Sequence, residues 1–262
     1  MFTVISKDGT EIAYDKVGQG PAVILVDGAL AVRASGTSLA ELLAPNFTVY
    51  YYDRRGRGDS TDTKPYSLEK EIEDIEALIG VAGAPIYLYG SSSGGALALE
   101  TAIRLGDKIK KLAVYEVPYD SSEAGVKAWR AYSAKLSELL AADRRGDAVS
   151  LFMKFVGVPD EALESMRHAP TWQSMEALAP TLAYDGAVVG EDRIVPTERA
   201  ALITAQTLVM DGSMSYEPMP FMRATAKALA KAIPNARHQV LEGQQHDVDP
   251  NVLAPVLKEH WL

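Results

Sequence analysis

The sequence predicts an α/β fold with a mostly parallel central sheet, helices on both faces, an antiparallel hairpin at its start and a helical insertion. Three observations predict it. Short apolar runs recur along the chain, helical patterns separate them, and residues 118–203 carry helical patterns only. Runs that are apolar on both faces are typical of parallel strands buried between two layers of helices.

The N-terminal segment predicts the antiparallel hairpin. Apolar and polar residues alternate in FTVISKDGTEIAYD around Asp8-Gly9, a dipeptide that favours a tight turn. Six apolar runs then predict the strands that follow. They are AVILVDG (22–28), FTVYYYD (47–53), PIYLYG (85–90), KLAVYE (111–116), TLVMDG (207–212) and RHQVLEG (237–243).

Three helices are predicted between these strands. Ser67 is a suitable N-cap for the first of them, and the acidic residues along it are expected to lie on a solvated face. Residues 94–105 predict a second helix that ends at Gly106, and residues 219–233 a third that ends before Pro234. The apolar face of the first helix consists of Leu68, Ile72, Ile75 and Ile79.

The helical stretch 118–203 predicts the domain organisation. It interrupts the strand pattern and has neither an internal repeat nor a low-complexity tract, so we interpret it as a helical cap inserted into a core domain of residues 1–117 and 204–262. Its aromatic side chains could line an apolar pocket, although most are expected to pack between helices. They are Trp129, Tyr132, Phe152, Phe155, Trp172 and Tyr184.

Composition excludes several classes of function. A net charge of −9 would repel a nucleic-acid backbone, and the absence of cysteine excludes disulfides and thiolate catalysis. Neither a membrane-spanning run nor a phosphate-binding glycine loop is found, so we predict a cytoplasmic protein without membrane or nucleic-acid partners and without a metal or organic cofactor. The expected partner is a small-molecule substrate, and a homo-oligomer is compatible with the sequence.

The motif with the clearest chemical meaning is Gly90-Ser91-Ser92-Ser93-Gly94. It directly follows a predicted buried strand and directly precedes a helix, which is the context that a G-x-S-x-G nucleophile elbow requires. The start of a helix also supplies backbone N–H groups beside developing negative charge. A glycine- and serine-rich turn without chemistry is the alternative. We predict Ser92 as a nucleophile.

A serine hydroxyl needs a base, and the chain has four histidines. His246 follows the last predicted strand in a loop at its carboxyl end, where catalytic loops collect in open α/β sheets. His238 lies inside a strand, His260 is near the C-terminus and His168 belongs to the insertion, so structural or solvated roles are expected for these three. His246 is therefore the predicted base.

With these motifs in place, the chain resembles the α/β-hydrolase family over nearly its whole length. The run from Asp53 to Ser60, DRRGRGDS, is similar to that family's D-x-R-G-x-G-x-S turn, whose role is mainly structural, although a basic surface turn is the alternative. Asp27-Gly28 stands where the family usually has His-Gly. The resemblance implies an oxyanion hole made by the backbone N–H groups of Ala29 and Ser93.

The acid that would orient the histidine departs from the family pattern. Most relatives carry it shortly after the strand TLVMDG, where this chain has Ser215. Glu116 ends the strand KLAVYE, which resembles the acid position of several haloalkane dehalogenases, and a buried glutamate there needs a partner such as an imidazole N–H. Glu116 is the favoured acid. Asp211 is the main rival, and the weaker candidates are Glu217 and Asp247.

A serine nucleophile implies acyl transfer, since the dehalogenases attack with aspartate instead. The predicted reaction is hydrolysis of a small, fairly apolar carboxylic ester, thioester or lactone through an acyl-enzyme. The same residues would also serve carbon–carbon bond hydrolysis or cofactor-free perhydrolysis. A ligand-binding protein without catalysis is the third alternative.

Overall fold

An eight-stranded, mostly parallel sheet forms the centre of the computed structural model, which describes residues 1–216 and 219–262. The strands are β1 (Phe2–Ile5), β2 (Glu11–Val17), β3 (Ala22–Val26), β4 (Thr48–Tyr52), β5 (Ile86–Ser91), β6 (Ile109–Tyr115), β7 (Gln206–Gly212) and β8 (Ala236–Leu241). Their order is β1-β2-β4-β3-β5-β6-β7-β8, and β2 pairs antiparallel with both β1 and β4 while β3 to β8 run parallel. The predicted fold class, including the N-terminal hairpin, is confirmed.

Eleven α-helices accompany this sheet in the described part of the chain. They are α1 (Thr37–Leu43), α2 (Leu68–Ala82), α3 (Ser93–Leu105), α4 (Glu123–Ala141), α5 (Arg145–Phe155), α6 (Asp160–Arg167), α7 (Trp172–Leu178), α8 (Leu182–Val189), α9 (Thr197–Ala200), α10 (Phe221–Ala232) and α11 (Pro250–Trp261). Helices α4 to α9 all lie between β6 and β7. In the two described ranges, none of the helices is long and apolar enough to cross a membrane.

Alternate residues of the central strands face two separate cores. In β3, Val23 and Leu25 pack with residues of α1 and α11, whereas Ile24 and Val26 pack with residues of α2 and α3. All four are at most 2% exposed. Successive side chains of a strand point to opposite faces, so an apolar run of this kind requires cover on both sides.

Helix α2 begins where the sequence predicts, because Ser67 has extended backbone and its hydroxyl accepts a hydrogen bond from the Lys70 backbone N–H. The expectation that its acidic residues are all solvated is wrong. Glu71 and Asp74 are fully buried and pair with Arg54 and Arg55, which come from the turn after β4. Two charged groups can be buried together only when each meets its counter-charge.

The parallel strands bring functional segments to one edge of the sheet. The residues that follow β3, β5, β6 and β8 all leave the sheet at the strands' carboxyl ends, because these strands are parallel. Those residues include Gly28, Ser92, Glu116 and His246. Positions far apart in sequence are thereby neighbours in space.

Candidate active site

Ser92 sits in a strained turn between β5 and α3. Its backbone has φ 54° and ψ −128°, a region that a non-glycine residue adopts only where surrounding structure enforces it. Its N–H donates to the Tyr115 carbonyl at 3.0 Å, and its carbonyl accepts from the Gly95 N–H at 2.9 Å. These two hydrogen bonds fix the backbone of the turn, so the Ser92 side chain lies at the N-terminal end of helix α3.

The glycines around Ser92 are required by close backbone approaches. A Cβ atom on Gly94 would lie 2.2 Å from the Val26 carbonyl oxygen, and one on Gly90 would lie 2.4 Å from the Gly94 carbonyl oxygen. Real Cβ atoms do not approach backbone so closely. The absence of a side chain at Gly94 therefore lets helix α3 begin against the end of β3, and its absence at Gly90 lets β5 turn directly into that helix.

A cavity of about 400 Å³ opens over this turn. Ser92, Ser93, Gly28, Ala29 and His246 all line it, together with aromatic side chains of the segment 118–203. Those aromatic side chains are Trp129, Tyr132, Phe152 and Phe155. The cavity therefore has aromatic walls on the side of the helical segment, where Asp185 and Arg193 also line it, and polar groups at the carboxyl edge of the sheet.

His246 is paired with Glu116. The Nδ1 atom of His246 lies 2.7 Å from Oε2 of Glu116, and Oε1 of Glu116 accepts from the Gly212 N–H at 2.9 Å. The Glu116 side chain is fully buried, whereas His246 is 38% exposed. A buried carboxylate with both oxygens engaged is a fixed acceptor, so it holds the imidazole with Nε2 free to accept a proton.

The other acids do not share this arrangement. Asp211 is buried at the end of β7, but its carboxylate contacts Arg223 and the Nε2 atom of His238. Ser215, at the position where the resemblance implies the acid, is buried. Asp247 lines the cavity next to His246, and Glu217 lies outside the described residues.

The three remaining histidines lie away from the cavity lining. His238 is in β8 against Asp211, and the Nε2 atom of His260 lies 3.0 Å from the Leu112 carbonyl oxygen. His168 is exposed, and its Nε2 is 3.1 Å from Glu164. Each has the structural or solvated position that the sequence predicts.

A buried ion cluster lies beside the nucleophile turn, and sequence reasoning missed its centre, Asp185. Both Arg54 and Arg57 donate to Oδ1 of Asp185 at 2.8 Å, and the Ser93 hydroxyl donates to the same oxygen at 2.7 Å. Although burial by itself raises the pKa of Asp185, the two guanidinium groups hold it below its usual value. The available signal was a single carboxylate in the otherwise apolar helix α8.

The same cluster orients the backbone after β3. Arg57 Nη1 donates to the Gly28 carbonyl at 2.5 Å, and Arg54 Nη1 to the Asp27 carbonyl at 3.3 Å. The Gly28 carbonyl and the Ala29 N–H belong to one planar trans peptide and point in opposite directions. Holding the carbonyl against Arg57 therefore fixes the direction of the Ala29 N–H. The alternative of a basic surface turn for DRRGRGDS is wrong, since Arg54 and Arg57 are buried.

Asp27 stands at the position for which the resemblance implies a histidine, and it is partly buried. Burial raises its pKa to about 6, and the positive charges of Arg57 and Arg54 limit that rise.

Within residues 1–216 and 219–262, no group of three His, Asp or Glu side chains is placed to hold a metal ion.

Comparisons with known proteins identify the family and the fold of this chain. A family model described as "Alpha/beta hydrolase family" matches residues 29–255. The crystal structure of an alpha/beta hydrolase from Sphaerobacter thermophilus DSM 20745 has a TM-score of 0.90 at 50% sequence identity. The match covers 100% of this chain and 100% of that one. The structure of an enol-lactonase from Burkholderia xenovorans LB400 has a TM-score of 0.71 at 22% identity, over 99% of both chains, and shows the shared fold.

Curated relatives match over shorter stretches. YraK of Bacillus subtilis (strain 168), named an uncharacterized hydrolase, is 31% identical over 112 residues, which are 41% of each chain. The matches span about two fifths of the length of such curated relatives.

Proposed function

The chain belongs to the alpha/beta hydrolase family, and on that premise we propose that it is a serine hydrolase. Its substrates are small, fairly apolar carboxylic esters, thioesters or lactones, and the reaction proceeds through an acyl-enzyme on Ser92. The observation that carries the proposal is the pairing of His246, which lines the same cavity as Ser92, with the buried Glu116 behind it.

The first half of the reaction forms the acyl-enzyme. His246 Nε2 takes the proton of the Ser92 hydroxyl while the serine oxygen attacks the substrate carbonyl carbon. Glu116 accepts the Nδ1 proton, which selects the tautomer and stabilises the imidazolium that forms. The protonated His246 then gives its proton to the leaving alcohol, thiol or ring oxygen as the bond to the acyl carbon breaks.

The negative charge of the tetrahedral intermediate is held by backbone donors. We assign this role to the N–H groups of Ala29 and Ser93, which are the residues after β3 and at the start of α3. Preorganised donors stabilise the oxyanion more than the ground-state carbonyl. Arg57 supports one donor through the Gly28 carbonyl, and Asp185 supports the other residue through the Ser93 hydroxyl.

The second half releases the acid. Water enters where the leaving group was, His246 takes one of its protons, and the water oxygen attacks the acyl carbon. As the bond between that carbon and the Ser92 oxygen breaks, the protonated His246 returns the proton to Ser92, which restores the free enzyme. We assign the helical segment 118–203 the role of a cap over this site. Four of its aromatic side chains line the cavity, and such walls would exclude bulk water and select the acyl group.

Covalent labelling tests the nucleophile. A fluorophosphonate probe should label the wild-type protein at Ser92, and Ser92→Ala should abolish both labelling and hydrolysis of activated esters, by roughly 10³-fold or more. Three consecutive serines make the peptide mass ambiguous, so Ser91→Ala is the matched control and should label normally. Full labelling of Ser92→Ala, or no labelling of the folded wild type, would contradict the proposal.

A pair of isosteric variants tests the acid. Glu116→Gln should lower kcat by roughly 10³ to 10⁴-fold, because the amide no longer stabilises the imidazolium or selects its tautomer. Asp211→Asn, at an equally buried carboxylate, should leave kcat of the folded protein within about tenfold of wild type. The reverse order of effects would assign the role to Asp211.

A further inference from the structure

Arg193 is a buried cation in the wall of the same cavity. It follows α8, is 6% exposed, and lines the cavity together with Ser92 and His246. Its guanidinium carbon lies 4.4 Å from the ring centroid of Phe221, and the Trp129 and Phe155 centroids lie at 5.5 and 5.2 Å. The Arg193 guanidinium therefore lies against aromatic rings in the wall of the cavity.

No carboxylate neutralises this charge in the part of the chain that the structure describes. The three other buried arginines, Arg54, Arg55 and Arg57, each donate to a carboxylate at 2.6 to 2.8 Å. Arg193 instead uses its Nε to donate to the Pro118 carbonyl. Asp120 acts on Arg193 through its charge without a direct ion pair, and one oxygen of its carboxylate accepts hydrogen bonds from Ser122 at 2.8 and 3.1 Å.

A buried cation that no described carboxylate neutralises is destabilising, and the pKa and the aromatic contacts of Arg193 both reflect this. Burial lowers its pKa to about 10, which Asp120 only partly opposes. Stacking on aromatic faces recovers part of the lost hydration, but a guanidinium has five donors and pairs best with a bidentate carboxylate. An anionic ligand group in the cavity would supply the missing partner.

We infer that Arg193 binds a carboxylate of the substrate, so that the preferred substrates are esters or lactones that also carry a free carboxylate. The inference deepens the proposed function and rests on it. A carboxylate fits better than a phosphate, because Asp247 also lines the cavity and repels a dianion more than a monoanion. The aromatic walls between Arg193 and the sheet edge would accommodate a short hydrocarbon chain.

Matched ester pairs test this preference. The monoethyl esters of succinic, glutaric and adipic acid differ from ethyl butanoate, pentanoate and hexanoate only in a terminal carboxylate. We expect kcat/KM of wild type to favour at least one acidic member over its neutral match by roughly tenfold or more. Arg193→Met should abolish that ratio, Arg193→Lys should keep part of it, and Arg130→Met, at an exposed arginine on α4, should leave it unchanged.

A binding measurement separates this inference from the proposed function. In Ser92→Ala protein, calorimetric titration with monoethyl glutarate should show an affinity that falls roughly tenfold when Arg193→Met is added, while ethyl pentanoate changes little. Equal weakening for both esters would show that Arg193 only shapes the cavity, and would overturn the inference. Failure of wild type to hydrolyse any ester would overturn the proposed function instead, and the titration would still decide the role of Arg193.

Discussion

At the scale of single residues, the nucleophile turn depends on the absence of a side chain at Gly94 as much as on the presence of Ser92. Ser92 can hold its unusual backbone conformation because Gly94 lets helix α3 approach the end of β3. The same approach places Ser93 beside the residues that follow β3. The close approach of α3 to β3 that Gly94 permits therefore also sets the positions of the proposed oxyanion donors, Ala29 and Ser93.

A methyl group at Gly94 should break this fit. In Gly94→Ala, the new Cβ would lie 2.2 and 2.6 Å from the carbonyl oxygens of Val26 and Asp27, neither of which can move without shifting β3. We expect a loss of about 1–3 kcal/mol in the free energy of unfolding, measured by denaturant titration. Ester hydrolysis should fall as well, since Ala29 follows the displaced strand.

Gly80→Ala is the matched control for that substitution. Gly80 is exposed in helix α2 with open space where a Cβ would be, so alanine should stabilise the protein by about 0.5–1 kcal/mol. Equal effects of the two substitutions would show that the contact between α3 and β3 is not tight.

At the scale of elements, helix α8 is joined to the sheet edge by charge. Its only charged residue, Asp185, accepts from Arg54, Arg57 and Ser93, and all four side chains are buried. Tyr184 on the same helix stacks on Tyr66 with ring centroids 4.0 Å apart. The helical segment is therefore fixed to the nucleophile turn through a specific cluster.

Asp185→Asn should be strongly destabilising, because it leaves the buried Arg57 guanidinium without a counter-charge and Arg54 with Glu71 alone. We expect a loss of about 3–5 kcal/mol in the free energy of unfolding by urea titration. Asp192→Asn removes the partner of Arg130 in an exposed pair and should cost no more than about 1 kcal/mol. A small effect at Asp185 would mean that hydration, and not Asp185, compensates the charge of Arg57.

At the scale of the whole molecule, the C-terminal helix closes one face of the sheet. The Trp261 ring stacks on Tyr87 with centroids 5.7 Å apart, and Lys111 donates to the His260 carbonyl at 2.6 Å. The Nε2 of His260 faces the Leu112 carbonyl, which can only accept, so this nitrogen carries the proton. The end of the chain is thus docked across β6 and β5.

This docking predicts a pH dependence of stability. Burial lowers the pKa of His260 to about 4 from 6.5, so between these values the unfolded chain binds more protons than the folded chain. Neutral His260 therefore contributes fully to the free energy of unfolding above pH 6.5. This stability is lost as the pH falls toward 4, by up to about 3 kcal/mol.

His260→Gln isolates the effect, because glutamine can still donate to Leu112 but does not titrate. The difference in unfolding free energy between the two proteins, measured from pH 7 to pH 4, should shift in favour of the variant as the pH falls. Curves that stay parallel over this range would show that His260 is not titrated in this window.

Much of the fold followed from local pattern. Asp8-Gly9 marks a hairpin, Ser67 caps a helix, and runs apolar on both faces form parallel strands, because turn geometry, capping and two-sided burial are properties of neighbours in sequence. Parallel strands also end at one edge, and for that reason Ser92, Glu116 and His246 could be predicted to lie close together.

Only the tertiary structure decided which charges meet. Glu116 and Asp211 both end buried strands, but the loop after β8 brings His246 to Glu116, whereas Asp211 meets Arg223 and His238. The acids of α2 are buried for the same reason, and Arg193 has a surface-like sequence context but a buried position. Sequence determined which elements form and where their ends lie, since those depend on local periodicity. The pairing of buried charges depends on distances between segments far apart in the chain, which only the packed fold sets.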